Sequence, residues 1–380
     1  MSFQFPDSVV ALLQALIRIR SVNPDGAIDE DASGEKECAE WVGEFLRSCE
    51  AVVEFEEVRP GRPNVIGYFD GPESAPYIAL APHLDTVSVN GMTIDPFAGE
   101  VSEGKILGRG ASDTKGTMAA MLWALHSSRE ALPKLSRRIA FVGLMGEEAG
   151  QPGSIHFAAH HANEFEFAVV GEPTQLETVY ASKGCVWVEL STQGRACHGS
   201  TPHLGKNAVL EMMPILGEIV SLLERRLEDY PDKTLGNPTV SLGRIQGGSS
   251  PNIVPDKCSA TLDFRETPAL HAAGGGLTLV KTILREKGWE SKVEVRVLGD
   301  SVPLLTDPET DGVRRLCSIG SPLATAPWFC DAGRLAEGGI PAVAAGPGSI
   351  AQAHTKDEYL TIKDLEAGVE FYRRFLLSYA

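Results

Sequence analysis

Nowhere in this sequence are two cysteines spaced as Cys-x-x-Cys. The seven it has, Cys38, Cys49, Cys185, Cys197, Cys258, Cys317 and Cys330, are odd in number and scattered. A thiolate zinc site and a disulfide framework are therefore not indicated, and reduced thiols in a cytoplasm are the expectation. Positive charge is scarce: 34 Lys and Arg stand against 51 Asp and Glu, a net charge of −17. A phosphate backbone is gripped by excess cations, so this balance argues against nucleic acid as a partner. No apolar run approaches the roughly 20 residues that a membrane span needs, so no membrane partner is expected. The segment from Met1 to Arg20 interleaves Val9, Val10, Leu12, Leu13, Leu16 and Ile17 with Asp7, Gln14 and Arg18. It lacks a basic start before an unbroken apolar core and reads as an amphipathic first helix, not a signal peptide. There is no internal repeat or low-complexity tract, and Ala272 to Gly276 reads as a Gly-rich loop.

What is present is a globular composition, 43% hydrophobic and 22% charged over 380 residues. That length predicts two or three units at roughly 100 to 200 residues each. Up to about residue 178 short apolar runs alternate with helical segments: Tyr77 to Ala81, Lys115 to Glu130, Arg138 to Leu144, Ser154 to His161, Phe167 to Val170. This is the pattern of a largely parallel sheet with helices on its faces. Ligands gather at the carboxyl ends of such strands, and there the sequence places His83, Glu147 with Glu148, and Glu172. A similar run, Ile340 to Ala345, precedes His354. Between about 179 and 298 the order becomes strand, helix, strand, strand, helix, strand, which predicts a split βαβ sandwich inserted as a second domain. Residues 1–178 and 299–380 would then form one discontinuous domain.

Five short motifs carry the chemistry. In Ala81-Pro82-His83-Leu84-Asp85, an imidazole follows a strand, and Asp85 lies where it can accept the proton of the second ring nitrogen and raise ligand basicity. In Gly108-Arg109-Gly110-Ala111-Ser112-Asp113, glycines fold a loop around one aspartate just before a helix, where an isolated Asp is more simply an N-cap. Gly146-Glu147-Glu148 sets two carboxylates side by side at a strand end, where they repel unless protons or a cation intervene. Gly171-Glu172-Pro173 and Gly348 to His354 complete the set, a turn acid and a loop histidine if taken singly. Together, two imidazoles and three carboxylates suit zinc or a similar borderline ion. One shared carboxylate would hold two ions about 3.5 Å apart.

On these motifs, which occur in the same order, the chain resembles the aminoacylase, acetylornithine deacetylase and succinyl-diaminopimelate desuccinylase family of dinuclear zinc hydrolases, over essentially its whole length. The resemblance implies a zinc-peptidase-like α/β domain with a mixed, mostly parallel sheet flanked by helices, plus an inserted α+β ferredoxin-like lid and dimerisation domain. It implies two divalent ions, zinc or else cobalt, with Asp113 shared, His83 and Glu172 on one, and Glu148 and His354 on the other. Glu147 would be the general base that activates water. Ala196-Cys197-His198-Gly199-Ser200 is similar to the lid segment whose histidine holds the oxyanion, commonly from the partner subunit of a homodimer. Asn252 and Arg265 resemble the lid residues that grip a substrate carboxylate. The stretch Gly346 to Leu360 is most similar to acetylornithine deacetylases, whereas Phe329 to Arg334 departs from their usual text. The expected substrate is a small N-acyl amino acid, N-acetylornithine first, with Asp331 among the acids suited to its cationic side chain. Succinyl-diaminopimelate, a dipeptide or a glutamate-type peptide are the alternatives, and a non-catalytic binding protein of the same fold is the alternative of another class.

Overall fold

The computed structural model describes residues 4–25 and 34–380. Met1 to Phe3, at the start of the expected first helix, lie outside the described residues, and the helix itself runs Val9–Arg18 with Ser8 as its N-cap. The chain divides into two compact units. One comprises residues 1–180, 306–325 and 330–380, the other 181–305 and 326–329.

The first unit is built on a mixed sheet. At its centre run four parallel strands in the order Arg138–Gly143, Tyr77–Ala81, Phe165–Val170, Ala342–Ala344. Their sequences are near-continuous apolar runs and their residues are almost all buried, as expected of parallel strands covered on both faces. Antiparallel strands flank them: Arg62–Tyr68 pairs with Arg138–Gly143, and Val52–Arg59 pairs with Arg62–Tyr68. The helices Val9–Arg18, Lys36–Ser48, Lys115–Ser128 and Ile362–Leu377 pack into one core with the sheet, through Leu12, Phe45, Met121, Phe141 and Phe375. The hairpin Val52–Arg59 and Arg62–Tyr68 was not among the expected strands. The first of these alternates Val and Phe with Glu on an exposed edge and carries little apolar signal.

In the second unit a four-stranded antiparallel sheet has the order Thr239–Gly247, Lys257–Glu266, Gly184–Gln193, Glu294–Ser301. Helices Ala208–Leu227 and Gly275–Glu286 bury Met212, Ile219, Val280 and Ile283 in a core shared with Val188, Leu190 and Phe264 of the sheet. The last strand continues past residue 298, because Ser301 is still in register with Cys185. The expected Gly-rich loop at Ala272 to Gly276 is not one: Gly275 opens a helix. The Gly276 N–H donates to the buried Glu266 carboxylate at 2.6 Å, and a Cβ at Gly276 would lie 2.4 Å from the Phe264 ring. There glycine is a packing requirement rather than a sign of a loop.

Candidate metal centre

His83 follows the strand Tyr77–Ala81 and bridges to Leu144 beside it, so the segments carrying His83 and Glu147-Glu148 leave the sheet together. The His83 Nδ1 lies 3.0 Å from the main-chain carbonyl of Asp85 and 3.4 Å from its carboxylate. The nearer acceptor is thus the carbonyl and not, as the sequence predicts, the carboxyl group. Both partners are acceptors, so Nδ1 keeps its proton, and loss of the other proton leaves on Nε2 the lone pair that a ligating imidazole needs. The Asp85 carboxylate is engaged elsewhere. It accepts the main-chain N–H groups of Glu147 and Glu148, each at 3.0 Å, and the Asn23 side-chain amide at 2.7 Å.

Asp113 sits just before the helix Lys115–Ser128, but the N-cap is Thr114 and it makes no side-chain cap bond. The Asp113 carboxylate is therefore not consumed by capping. It lies 3.1 Å from His83 Nε2 and 3.4 Å from His354 Nε2. Its loop folds tightly onto the helix, and a Cβ at Gly116 would come within 2.2 Å of the Ala111 carbonyl. Thr114 Oγ1 donates to the Gly171 carbonyl at 2.6 Å, which ties this loop to the strand end that presents Glu172. His354, in left-handed backbone conformation, places Nε2 3.2 Å from Glu148.

The donor atoms fall into three groups, each with its ligand atoms within 4.8 Å of one another: His83, Asp113 and Glu172; Asp113, Glu148 and His354; and His83, Glu147 and Glu148. Asp113 belongs to the first two, as a shared ligand must. All five expected ligand residues thus come together.

The electrostatics describe a site short of positive charge. Burial pushes the carboxyls of Glu172 and Glu147 well above the usual carboxylate range, and neighbouring acids add to it. Burial raises Glu148 too, against the opposing His354. Burial alone would lower His83, but hydrogen bonds with Asp113 and Asp85 carry it well above its ordinary value, and Asp113 and Glu148 bring His354 up to about 10. Protonation is thus favoured at Glu147, Glu172 and both imidazoles, whereas Asp113, despite its burial, is held below the usual carboxylate range by His354 and His83. The buried Oε1 of Glu172 has no hydrogen-bond partner among the described residues, a costly state for a carboxylate oxygen. Divalent ions held by His83, Asp113 and Glu172, and by Asp113, Glu148 and His354, would replace those protons and occupy that oxygen. The donor set fits them.

Two hydrogen-bonding residues of this site were not among the site residues expected from the sequence. Asn23, in Ser21-Val22-Asn23-Pro24, is buried and feeds Asp85; Glu358, four residues after His354, is buried and receives the Asp113 loop. A polar residue held just before a proline was the available signal for the first. The second lies within the stretch Gly346 to Leu360, close to His354, but that stretch assigned it no part. Asp331, named above for a cationic substrate side chain, is fully buried, with Oδ1 accepting from Ser154 Oγ at 2.5 Å.

The second unit brings His198 and Asn252 side by side: the Gly199 N–H donates to the Asn252 carbonyl at 2.7 Å, and His198 bridges Ile253. His198 Nδ1 accepts the Ser200 main-chain N–H at 3.2 Å, which leaves Nε2 as the N–H donor. Arg265 is not unengaged. It forks onto Asp263 through Nε at 2.9 Å and Nη2 at 3.1 Å.

The family model for peptidase family M20/M25/M40 matches residues 79–378. The chain belongs to this family. Among its relatives, a probable carboxypeptidase of Aspergillus clavatus is 34% identical over 367 residues, 91% of this chain and 85% of that protein. An acetylornithine deacetylase of Vibrio cholerae is 27% identical, with 98% of each chain covered. An M20 family metallo-carboxypeptidase from Sulfolobus solfataricus shares the fold, with a TM-score of 0.79 over 98% of this chain and 99% of that one, at 20% identity. As an M20-family protein the chain is a hydrolase of amide bonds.

Proposed function

We propose that this hydrolase cleaves the amide bond of an N-acyl amino acid, with N-acetylornithine, giving ornithine and acetate, as the first substrate to test. The observation that carries the chemistry is Glu147. It is buried beside the donor cluster yet outside both ligand groups that share Asp113. A carboxyl so placed is free to move a proton. When bound, two divalent ions, proposed to be zinc with cobalt as the alternative, supply the positive charge that acidifies water and polarises a carbonyl oxygen. Glu147 then takes one proton from water as its oxygen attacks the carbonyl carbon, and returns it to the nitrogen as the carbon–nitrogen bond breaks. Asp85 holds the Glu147 and Glu148 backbone in place, and His83, Asp113, Glu148, Glu172 and His354 are the proposed ligands.

In the same reading the second unit is a ferredoxin-like lid. His198 donates Nε2–H to the developing oxyanion, and Asn252 and Arg265 bind the substrate carboxylate. Asp263 engages two of the five Arg265 N–H donors, and the rest remain for a second carboxylate. A homodimer through the lid is also proposed. Its support is the edge strand Thr239–Gly247, which exposes Leu242 and Ile245, and the helix Ala208–Leu227 packed against it, which exposes Leu210 and Met213. Sedimentation at micromolar concentration tests it, and a monomer there refutes it. A cytoplasmic location is proposed on the seven unpaired cysteines. No helix among the described residues is long and apolar enough to cross a membrane.

A carboxypeptidase reading is favoured by one observation, the 34% identity to the fungal protein. Turnover of N-acetylornithine, N-succinyl-diaminopimelate, dipeptides and N-blocked peptides by the zinc- and cobalt-loaded enzyme separates the two. A preference for acetylornithine is expected; cleavage of peptides alone would replace the deacetylase reading with the peptidase one.

A further inference from the structure

The loop that presents Asp113 is held from outside its own sequence by one buried carboxylate. Glu358 Oε1 accepts the main-chain N–H groups of Ser112 and Asp113, both at 2.9 Å; Oε2 accepts the Gly110 N–H at 3.0 Å and Arg109 Nη1 at 2.7 Å. The Glu358 main-chain carbonyl takes a fifth donor, the Gly108 N–H, at 3.1 Å. The side chain is fully buried, so no water competes for these bonds. Four donors converge on two oxygens, and three of them are loop amides that have no strand or helix partner. The loop is in effect wrapped around this carboxylate.

Glu358 is also joined by only three residues to His354. Beyond it the strand Tyr359–Thr361 pairs with Lys105–Leu107, which leads into the same loop. This side chain, together with the adjoining strand pairing, therefore joins two segments that are distant in sequence and that place His354 Nε2 3.4 Å from Asp113 Oδ2. We propose that Glu358 is a positioning residue for the metal centre, setting the bite between the shared carboxylate of Asp113 and the imidazole of His354. This rests on the reading above that Asp113 and His354 are ligands. Arg109 has a separate part: its Nε and Nη2 donate to the Ser88 carbonyl, and its charge neutralises Glu358.

The two roles can be separated. Glu358→Gln keeps the shape, turns an amide NH₂ toward N–H donors and leaves the Arg109 charge buried without its partner, so both loop geometry and folding stability suffer. Arg109→Met keeps the three backbone donors. Glu358→Gln combined with Arg109→Met removes both buried charges but not the mismatch at the loop. Each variant, with Asp113→Asn as reference, is stripped with chelator and titrated with zinc against a chromophoric competitor, and its melting temperature is measured in the metal-free state. Zinc affinity is expected to fall about 10- to 100-fold in Glu358→Gln, as for other residues that orient ligands. It should stay near wild type in Arg109→Met and remain low in the double variant although its melting temperature recovers. If affinity recovers together with melting temperature, or Glu358→Gln binds zinc like wild type while Asp113→Asn does not, the positioning role is refuted. If Asp113→Asn itself binds zinc like wild type, the ligand reading fails instead.

Discussion

Replacing Asn23 tests how the His83 side of the site is held. Among the described residues three N–H donors lie within 3.0 Å of the Asp85 carboxylate, and the Asn23 amide at 2.7 Å is the shortest of them and the one from a side chain. Asn23 is itself fastened, since its main-chain N–H donates to the Thr86 carbonyl at 2.9 Å and its Oδ1 accepts from Asp25 N at 2.8 Å. A buried hydrogen bond to a charged group contributes about 1.5 to 3 kcal/mol. Asn23→Ala should therefore lower the stability of the metal-free protein by about that amount. Zinc affinity should fall about 10- to 100-fold, the range seen when a group orienting a metal ligand is removed. Asn23→Asp is the decisive companion: it keeps the volume but sets a second carboxylate against Asp85, so above neutral pH it should be worse than alanine. Urea unfolding of metal-free protein and zinc competition, both at about pH 8, read the two effects. If packing were all that mattered, Asp would be milder than Ala, and that order of outcomes would refute the reasoning.

Glu147→Gln should leave zinc affinity largely intact and reduce turnover about 10²- to 10⁴-fold; unchanged turnover would exclude Glu147 as base. Zinc titrated into metal-free protein in weak buffer should release protons, and affinity should rise with pH from about 6 to 8, because His354 holds its proton up to about 10 and Glu172 holds one well above the usual range. A pH-independent affinity with no proton release would contradict this. Burial brings Asp331 up to about 7, above its unfolded value, so the folded state binds the extra proton and stability is lost as pH rises toward neutrality. Asp331→Asn should flatten that loss in metal-free protein, as the difference between urea midpoints at acidic and neutral pH. An equal loss in both proteins would show that Asp331 is not its source.

Much of the candidate site could be read in one dimension because a parallel sheet delivers its strand ends to one place. An apolar run such as Tyr77–Ala81 both marks a buried strand and points to the polar residue after it, so His83, Glu147, Glu148 and Glu172 were legible from local pattern. Asp113 and His354 lie on loops and gained meaning only together with the others. The parts of the residues that hold the proposed ligands in place were not legible. Asn23 is 62 positions from Asp85, and Glu358 is 245 from Asp113. A buried polar side chain finds its partner wherever the fold supplies one, and no periodicity announces it.

The same division explains Asp331 and Arg265. Sequence by itself determined that acids, imidazoles and an arginine stand at particular points of two alternating patterns, because hydrophobic period dictates strand, helix and strand end. Only the tertiary structure decided which of them are open. It buried Asp331 against Ser154 and forked Arg265 onto Asp263, and it left Glu172 Oε1 without a hydrogen-bond partner among the described residues. The cost of a buried charge depends on what lies within a few ångströms in three dimensions, and that distance is fixed by packing, not by order along the chain.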